Sequence, residues 1–242
     1  MDKINFNDFA QQFEQNLDKI LSNHSIDCVI FSYENTELKV LLSRSNNDLN
    51  MLPGGFILLD EDLDSAAQRI IRERVGLEGV FLNQFYTFGA VNRRDLSEIN
   101  EMEMSFLNSR PKLAAWHKSR FITTGYLSFV NFDKVIIQPD PFGTSYKWHS
   151  VYKLPKLIFD HQNIVEKAIK TLRSQLDYLP IGASLLAPKF TMNEMQSLYE
   201  TILNKKLDRG NFQRKILKSK LLNRHEKLMK GGAHKAPYLY SF

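Results

Sequence analysis

Two carboxylates and a cluster of arginines follow a glycine-rich turn at residues 52–77, LPGGFILLDEDLDSAAQRIIRERVGL. Glu61 and Glu73 carry the oxygen ligands that Mg²⁺ and other hard cations take in proteins. Two carboxylates hold such a cation poorly, and Arg74 would compete with it for Glu73. The residue types therefore resemble a catalytic metal motif that has lost part of its acid.

One short helix must position these side chains. Asp62 is a suitable N-cap, residues 63–75 have helical spacing, and Gly76 stands where a left-handed C-cap belongs. The spacing predicts a buried face made of Ala66, Ala67, Ile70 and Ile71.

The other elements of residues 1–180 suggest strands flanked by helices. Predicted strands are Asp27–Phe31, Lys39–Leu42, 81–91, 121–132 and 151–154, and predicted helices are 5–21 and 161–176. Residues 43–50 and 131–150 are predicted loops, and 93–120 is an insert without a clean period. This order favours an α/β fold with a mixed sheet between helices.

The last part of the chain has a different pattern, with a boundary predicted at residue 180/181. Thr191 and Glu194 form a capping box for a helix that ends near Leu203. Asp208 caps a second helix, Arg209–Lys220, whose predicted apolar face is Phe212, Ile216 and Leu217. Two extended pieces joined by a basic, glycine-rich tip follow. Helix, turn, basic helix and hairpin is the order of a winged helix-turn-helix.

The net charge of +5 is unevenly distributed. Residues 188–242 contain twelve Lys and Arg against four Asp and Glu, a net +8, which leaves −3 for residues 1–187. A basic tail on a mildly acidic body suggests a polyanionic partner. A lysine-rich solvated surface is the alternative explanation.

Several classes of protein are disfavoured by composition. The sequence has no apolar run long enough to span a membrane and no signal-peptide pattern at its start. The single cysteine, Cys28, lies in an apolar run, where a buried, inert thiol is expected. We therefore expect a cytoplasmic protein. The six histidines show no metal-ligand spacing, so no metal, cofactor or catalytic residue is predicted.

The stretch from Gly55 onwards resembles the Nudix box, the signature of a hydrolase family. The matching residues are Gly55, Glu61, Arg69, Ile71, Glu73, Gly76 and Leu77. In active members, glutamates on one helix face collect divalent metal and activate water against a diphosphate. Ile70 and Arg74 replace two of those glutamates. The resemblance implies a Nudix-like α/β/α sandwich without hydrolysis, in which Glu61, Arg69 and Glu73 form a structural ion pair.

A degenerate Nudix box before a C-terminal winged helix resembles the Nudix-related transcriptional regulators. Residues 185–217 and GGAHKAPYLYSF at 231–242 are similar to the winged domain of that family. The resemblance implies a homodimeric, DNA-binding regulator with an effector domain, 1–180, and a DNA-binding domain, 181–242. The implied effector is ADP-ribose or a pentose such as L-arabinose. The segment after Phe88-Gly89 departs from the family pattern, which leaves the effector open.

The candidate site residues fall into two groups. The predicted effector-binding residues are Arg44, Arg93, Arg94 and Glu73, with ordinary surface positions as the alternative. On the basic helix, Arg209, Asn211 and Arg214 are predicted to read bases of double-stranded operator DNA. Predicted phosphate contacts come from Lys215, Lys218, Lys230 and Lys235.

Two other functions remain open at this stage. The first is a metal-dependent Nudix hydrolase of a nucleoside diphosphate derivative with an altered ligand set. The second is an RNA-binding module, since basic wings also contact RNA.

Overall fold

A seven-stranded sheet forms the body of the first domain. The computed structural model describes residues 11, 13–44, 49–98, 101–132, 145–177, 181–228 and 236–242. The strands of this sheet are β1 (Ile20–Glu34), β2 (Glu37–Arg44), β3 (Asn50–Met51), β4 (Gly54–Leu58), β5 (Leu82–Phe88), β6 (Ile122–Phe129) and β7 (Ser145–Ser150).

Strand β1 is the central strand, and its partners make the sheet mixed. It pairs antiparallel with β2 and β4 and parallel with β6, over a register that runs from His24↔Ile122 to Phe31↔Phe129. Strand β5 pairs antiparallel with β6, and β3 and β7 pair antiparallel with β2. The predicted mixed sheet is confirmed.

Helices cover both faces of this sheet. They are α1 (Leu63–Val75), α2 (Glu101–Asn108), α3 (Pro111–Lys118) and α4 (His161–Ser174). Side chains alternate along a strand, so Ile26, Cys28 and Ile30 pack under α1, whereas Val29 and Phe31 share a core with α4. This is the α/β/α sandwich that the resemblance implied.

Helix α1 has the limits that its caps predict. The Asp62 carboxylate accepts a hydrogen bond from the Ser65 N–H at 2.7 Å. Gly76 ends the helix with φ of 72°, a left-handed conformation that favours glycine. The predicted buried face is confirmed, since Ala66, Ala67, Ile70 and Ile71 are all almost fully buried.

The C-terminal part has winged-helix topology. Its elements are α5 (Ile181–Leu185), β8 (Phe190–Thr191), α6 (Met192–Leu203), α7 (Arg209–Lys218), β9 (Asn223–Lys227) and β10 (Tyr238–Ser241). The three strands form a sheet in the order β8-β10-β9. The capping box is present: the Thr191 hydroxyl accepts from the Glu194 N–H, and Glu194 accepts from the Thr191 N–H.

One hydrophobic core joins the two parts of the chain. The cluster that contains Val29 and Phe31 of β1 and Ile164 of α4 continues into Leu198 of α6 and Phe212 of α7. Polar contacts reinforce it: the Tyr33 hydroxyl donates to the Ser197 hydroxyl at 3.0 Å. The winged helix therefore packs directly on the body.

Cys28 is free and fully buried. Burial and the neighbouring Asp27 raise the pKa of the thiol above its ordinary value, which keeps it protonated. The expected inert cysteine is confirmed. None of the described helices is long and apolar enough to cross a membrane.

Three sequence predictions of local structure are wrong. Residues 145–150 form strand β7 rather than a loop, and Val151–Leu154, predicted as extended, is a turn. The predicted helix 5–21 ends early: residues 13–15 are helical, a 3-10 turn covers Leu17–Lys19, and Ile20 begins β1. Phe6 and Phe9 of that prediction lie outside the described residues. The insert 93–120 contains α2 and α3, which were not predicted because its apolar residues have no clear helical spacing.

Gly54→Ala tests the close approach of β4 to β1. An added Cβ would lie 2.6 Å from Asp27 Oδ1 and 2.7 Å from the Ile26 carbonyl oxygen. We expect a loss of about 1–3 kcal/mol in the free energy of unfolding, measured by urea denaturation, because backbone atoms must shift.

Gly89→Ala is the matched control, since its Cβ would make only an ordinary contact, 3.4 Å from Ile122 Cγ2. Equal denaturation midpoints for the two variants would contradict the steric argument.

Candidate effector cavity and nucleic-acid interface

A cavity of about 430 Å³ opens between β1, β4 and helix α3. Two of the four predicted effector residues, Arg93 and Arg94, line it. Arg44 at the end of β2 and Glu73 on α1 are not among its lining residues. The structure therefore brings together half of the predicted effector set and adds Arg74, which also lines the cavity.

Arg93 is the most buried of the cavity arginines, with 6% of its surface exposed. Its Nε and Nη2 donate to the two carboxylate oxygens of Asp160 at 3.0 and 2.8 Å. Its Nη2 also lies 3.6 Å from Asp27 Oδ2. Bidentate pairing with a second carboxylate nearby compensates the buried charge, so Arg93 holds the cavity wall in place.

His161, the first residue of α4, belongs to the same cluster. Its Nδ1 accepts a hydrogen bond from the Leu52 N–H at 2.9 Å, and its Nε2 lies 3.7 Å from Asp27 Oδ1. An accepting Nδ1 places the proton of a neutral ring on Nε2, towards Asp27. The beginning of α4 is thus fastened to both β1 and the turn before β4.

Arg94 has a different environment from its neighbour. Its guanidinium carbon lies 4.7 Å from the ring centroid of Phe121 and 5.1 Å from that of Phe159. No carboxylate lies within ion-pair distance of it in the part of the chain that the structure describes. Burial and the charge of Arg93 lower the pKa of Arg94 to about 10, so it remains charged at neutral pH. Among the described residues it is a cation without a carboxylate partner, in contact with two aromatic rings at the cavity wall.

His117 and Phe159 both lie next to the Arg94 guanidinium. Arg94 Nη2 lies 3.2 Å from His117 Nε2. Burial, together with Arg94 and Lys118, lowers the pKa of His117 to about 4, so the ring is neutral and can accept from Arg94. Phe159 has φ of +54°, a strained conformation for an aromatic residue. Such strain occurs most often at functional sites, where surrounding structure enforces it.

An aromatic cluster forms another wall of the cavity. Trp116 of α3 packs edge-on against Phe13, Phe56 and Phe121, with ring centroids 4.7–5.3 Å apart. Phe13 therefore packs on the body through this cluster. Flat, apolar surfaces of this kind suit the face of a nucleobase.

Three of the residues that match the Nudix box, Glu61, Arg69 and Glu73, form an ion-pair network. Arg69 donates to both oxygens of Glu61, to Glu73 Oε2 at 3.0 Å and to the Phe56 carbonyl at 2.8 Å. The Arg69 hydrogen bond is the main cause of a lowered pKa at Glu61. These contacts are those of the expected structural ion pair between the helix and the preceding loop.

The described residues do not form the metal site of a Nudix enzyme. Ile70 is buried, with its Cγ1 beneath Gly55, and Arg74 places a cation where the family pattern has a carboxylate. Within the described part of the chain, no group of three or more His, Cys, Asp or Glu side chains is arranged to hold a metal ion. Mg²⁺ therefore does not fit this set of side chains.

Sequence reasoning missed Asp27, Asp160 and His161 as parts of the cavity wall. Asp27 had a usable signal, because a carboxylate interrupts the apolar run of β1. Asp160 and His161 had no such signal. They come to the cavity only through the packing of α4 on the sheet.

The predicted base-reading residues are all exposed on α7, and Asn211 and Arg214 lie three residues apart on one side of the helix. Arg209, Asn211 and Arg214 are exposed, while Phe212 and Ile216 are buried. The Asp208 carboxylate caps the helix by accepting from the Asn211 N–H at 2.8 Å. Leu217, predicted on the apolar face, is 44% exposed, so that part of the prediction is wrong.

The predicted phosphate contacts have mixed outcomes. Lys215 and Lys218 are exposed on α7, but Lys215 Nζ lies 2.7 Å from Asp177 Oδ2, an ion pair that a phosphate would have to replace. Lys230 and Lys235 lie outside the described residues.

Sequence reasoning also overlooked two cations of the wing. Arg224 and Lys227 on β9 lie over the ring of Tyr238 on β10, 4.6 and 5.3 Å from its centroid. All three side chains are exposed beside the hairpin tip. Regular alternation would have put residues 224 and 227 on opposite faces of β9, and an irregularity in the β9–β10 register accompanies their shared contact with Tyr238.

The C-terminal part matches a known domain family. Residues 182–242 match the family model described as the NrtR DNA-binding winged helix domain. Over 226 residues the chain is 26% identical to the "ADPR responsive transcriptional repressor NtrR" of Acinetobacter baylyi. That alignment covers 90% of this chain and 81% of the relative.

Solved structures share the fold over nearly the whole chain. NrtR of Shewanella oneidensis, crystallised with a 27mer DNA, is 25% identical, with a TM-score of 0.67 and coverage of 91% of this chain and 93% of that one. A MutT/nudix family protein from Enterococcus faecalis, 18% identical, has a TM-score of 0.65 and coverage of 98% and 93%. The second likeness concerns the fold alone. With a Nudix-like sandwich followed by a winged helix that matches the NrtR domain model, the chain has the architecture of the Nudix-related transcriptional regulators.

Proposed function

We propose that this regulator binds an ADP-ribose-like effector in the cavity beside β1 and thereby changes its affinity for operator DNA. The observation that carries the proposal is Arg94, a cation at the wall of a cavity of about 430 Å³ that has no carboxylate partner among the described residues. An anionic ligand would supply the missing counter-charge. The relative from Acinetobacter baylyi, described as ADPR-responsive, supports this choice of ligand.

The cavity favours a nucleoside diphosphate sugar over a free pentose. Its volume suits a ligand of cofactor size, and a pentose would fill only a small part of it. The aromatic wall at Trp116 offers a surface for a base, while Arg74 and Arg94 offer charges for phosphates. A pentose has neither a base nor a charge to match these groups.

The chain acts as a sensor rather than a hydrolase in this proposal. The alternative, a metal-dependent hydrolase, needs carboxylates where Ile70 and Arg74 stand. Glu61 and Glu73, which remain, are both bonded to Arg69. Incubation of the protein with ADP-ribose and Mg²⁺ or Mn²⁺ should leave the ligand intact, as measured by chromatography. Turnover that disappears in Glu73→Gln would restore the hydrolase.

DNA recognition is assigned to α7 and the wing. Helix α7 would enter the major groove, where Arg pairs with guanine and Asn with adenine. The exposed Arg209, Asn211 and Arg214 are the base readers in this arrangement. Lys218, Arg224 and the other wing cations contact phosphates. The RNA-binding alternative predicts that single-stranded or duplex RNA competes equally with duplex DNA.

Helix α4 provides the route from effector to DNA. Its first residue, His161, contacts the cavity wall. Near its other end, Arg173 Nε donates to the Ile202 carbonyl of α6 at 2.8 Å. The Lys215–Asp177 ion pair joins the segment after α4 to α7. A shift of α4 on effector binding would therefore move both helices of the winged domain.

Three further features complete the proposal. The chain acts as a homodimer, as the family resemblance implies, and a two-fold dimer would bind two half-sites of an operator. It works in the cytoplasm, where its DNA lies. The functional division stays at 180/181, although a shared core crosses it.

A single binding assay tests the whole proposal. Duplexes that the full-length protein selects from a random library serve as operator. Fluorescence anisotropy then gives the DNA dissociation constant with and without ADP-ribose. We expect ADP-ribose to change that constant and L-arabinose to leave it unchanged. A response to L-arabinose alone would replace the proposed effector by a pentose.

Arg214→Ala should weaken operator binding by about 1–3 kcal/mol, because it removes a base contact. The selected duplex and fluorescence anisotropy provide the measurement. Arg72→Ala, a matched change at an exposed arginine of α1, should bind normally. If Arg214→Ala bound the operator as tightly as the natural chain does, α7 would not read bases through this residue.

Arg173→Ala should reduce the communication between effector and DNA. The substitution removes the hydrogen bond from α4 to the end of α6. We expect similar DNA affinity without effector and a coupling free energy smaller by about 0.5–2 kcal/mol. The measurement is the ratio of DNA dissociation constants with and without ADP-ribose. An unchanged ratio would remove this contact from the route.

A further inference from the structure

Leu217 is an exposed leucine on α7, the helix that carries the predicted base readers. Its side chain is 44% exposed, whereas Phe212 and Ile216, which attach α7 to the core, are each only 6% exposed. Residues three apart in a helix are neighbours on its surface, so Leu217 lies beside the exposed Arg214 and away from the core. An apolar side chain in this position gains free energy only when a binding partner covers it.

The charges around Leu217 indicate the chemistry of that partner. Arg214 and Lys218 are exposed cations, and neither has an acidic partner among the described residues. Lys215 differs from them, because its Nζ lies 2.7 Å from Asp177 Oδ2. A leucine flanked by two such cations suits a surface with anionic edges and apolar groups between them.

The major groove of duplex DNA is a surface of this kind. Phosphates form its edges, and the C5-methyl groups of thymines project into it from the base pairs. A second copy of the chain is a poorer partner for the same face. In a two-fold interface through α7, the cations of one copy would meet the identical cations of the other.

We infer that Leu217 is a specificity-determining residue that contacts the C5-methyl group of a thymine in the operator. This inference rests on the proposed function for the placement of α7 in the major groove. Residues three apart on a helix have Cβ atoms about 5–6 Å apart, and successive base pairs rise by about 3.4 Å. The thymine therefore lies one or two base pairs from the base that Arg214 contacts.

Replacement of thymine by uracil tests this contact, because uracil forms the same base pair and lacks only the methyl group. Each thymine of the duplex selected by the full-length protein is replaced in turn, and fluorescence anisotropy gives the DNA dissociation constant. We expect at least one replacement to weaken binding by the natural chain about 3–10-fold, the effect of one methyl group left without its apolar contact.

Leu217→Ala should weaken binding of the unmodified duplex by a similar factor. It should show no further loss at the sensitive thymine, because both changes remove the same contact. Leu217→Met, which keeps an apolar side chain of similar volume, should retain most of the sensitivity to uracil. The sensitive thymine should lie one or two base pairs from the position at which Arg214→Ala loses its base preference.

Leu59→Ala is the matched control. Leu59 is 63% exposed in the turn between β4 and α1 and is not among the residues that line the cavity. We expect this variant to bind the unmodified duplex as the natural chain does and to show the same loss with uracil. Thermal unfolding midpoints verify that each variant is folded, and light scattering gives its oligomeric state.

The outcomes separate this inference from the proposed function. If no uracil replacement weakened binding, or if Leu217→Ala kept the full loss, Leu217 would not contact a thymine methyl group, although DNA binding would stand. Equal weakening of every duplex by Leu217→Ala, together with a change in oligomeric state, would place the leucine in a protein interface and overturn the inference. Failure of the natural chain to select any duplex would reject the proposed DNA recognition and the inference with it.

Discussion

The buried pairing of Arg93 with Asp160, beside Asp27, is the interaction on which the arrangement of this molecule depends. It joins the loop after β5, the central strand and the beginning of α4 within one cluster of charges. Removing one partner of a buried pair generally costs about 3–5 kcal/mol, because the other charge is left uncompensated. The position of α4, and of everything packed against it, therefore depends on charges at the edge of the cavity.

Helix α1 has the caps and the apolar face that the Nudix box predicts, but a different set of charged side chains. The caps of α1 and its apolar face are intact, and Arg69 ties Glu61 to the strand end at Phe56. Glu61 and Glu73 are hydrogen-bonded to Arg69, and these contacts fix the loop before the helix.

Local sequence signals predicted the parts of the fold that local interactions determine. Helix α1 was predictable residue by residue, since its Asp62 cap, its spacing and Gly76 agree with one another. Strand β7 was not predictable, because it is specified by pairing with β2 over a long separation. The sequence predicted two of the cavity arginines, Arg93 and Arg94, from their charge and loop position. It could not predict Asp160 and His161, because tertiary packing of α4 brings them to the cavity.

The core that continues from β1 into α6 and α7 has a consequence for how such regulators diversify. A DNA-binding domain joined by a flexible linker can be exchanged between proteins without compensating substitutions, because it shares no core with its neighbour. Here the inner faces of Leu198 and Phe212 are fitted to the sheet that carries the cavity. A new winged domain grafted onto this sandwich would expose apolar surface unless its inner face changed as well. Exchange of domains would therefore have to keep the sandwich and its winged helix together, or change both sides of their shared core.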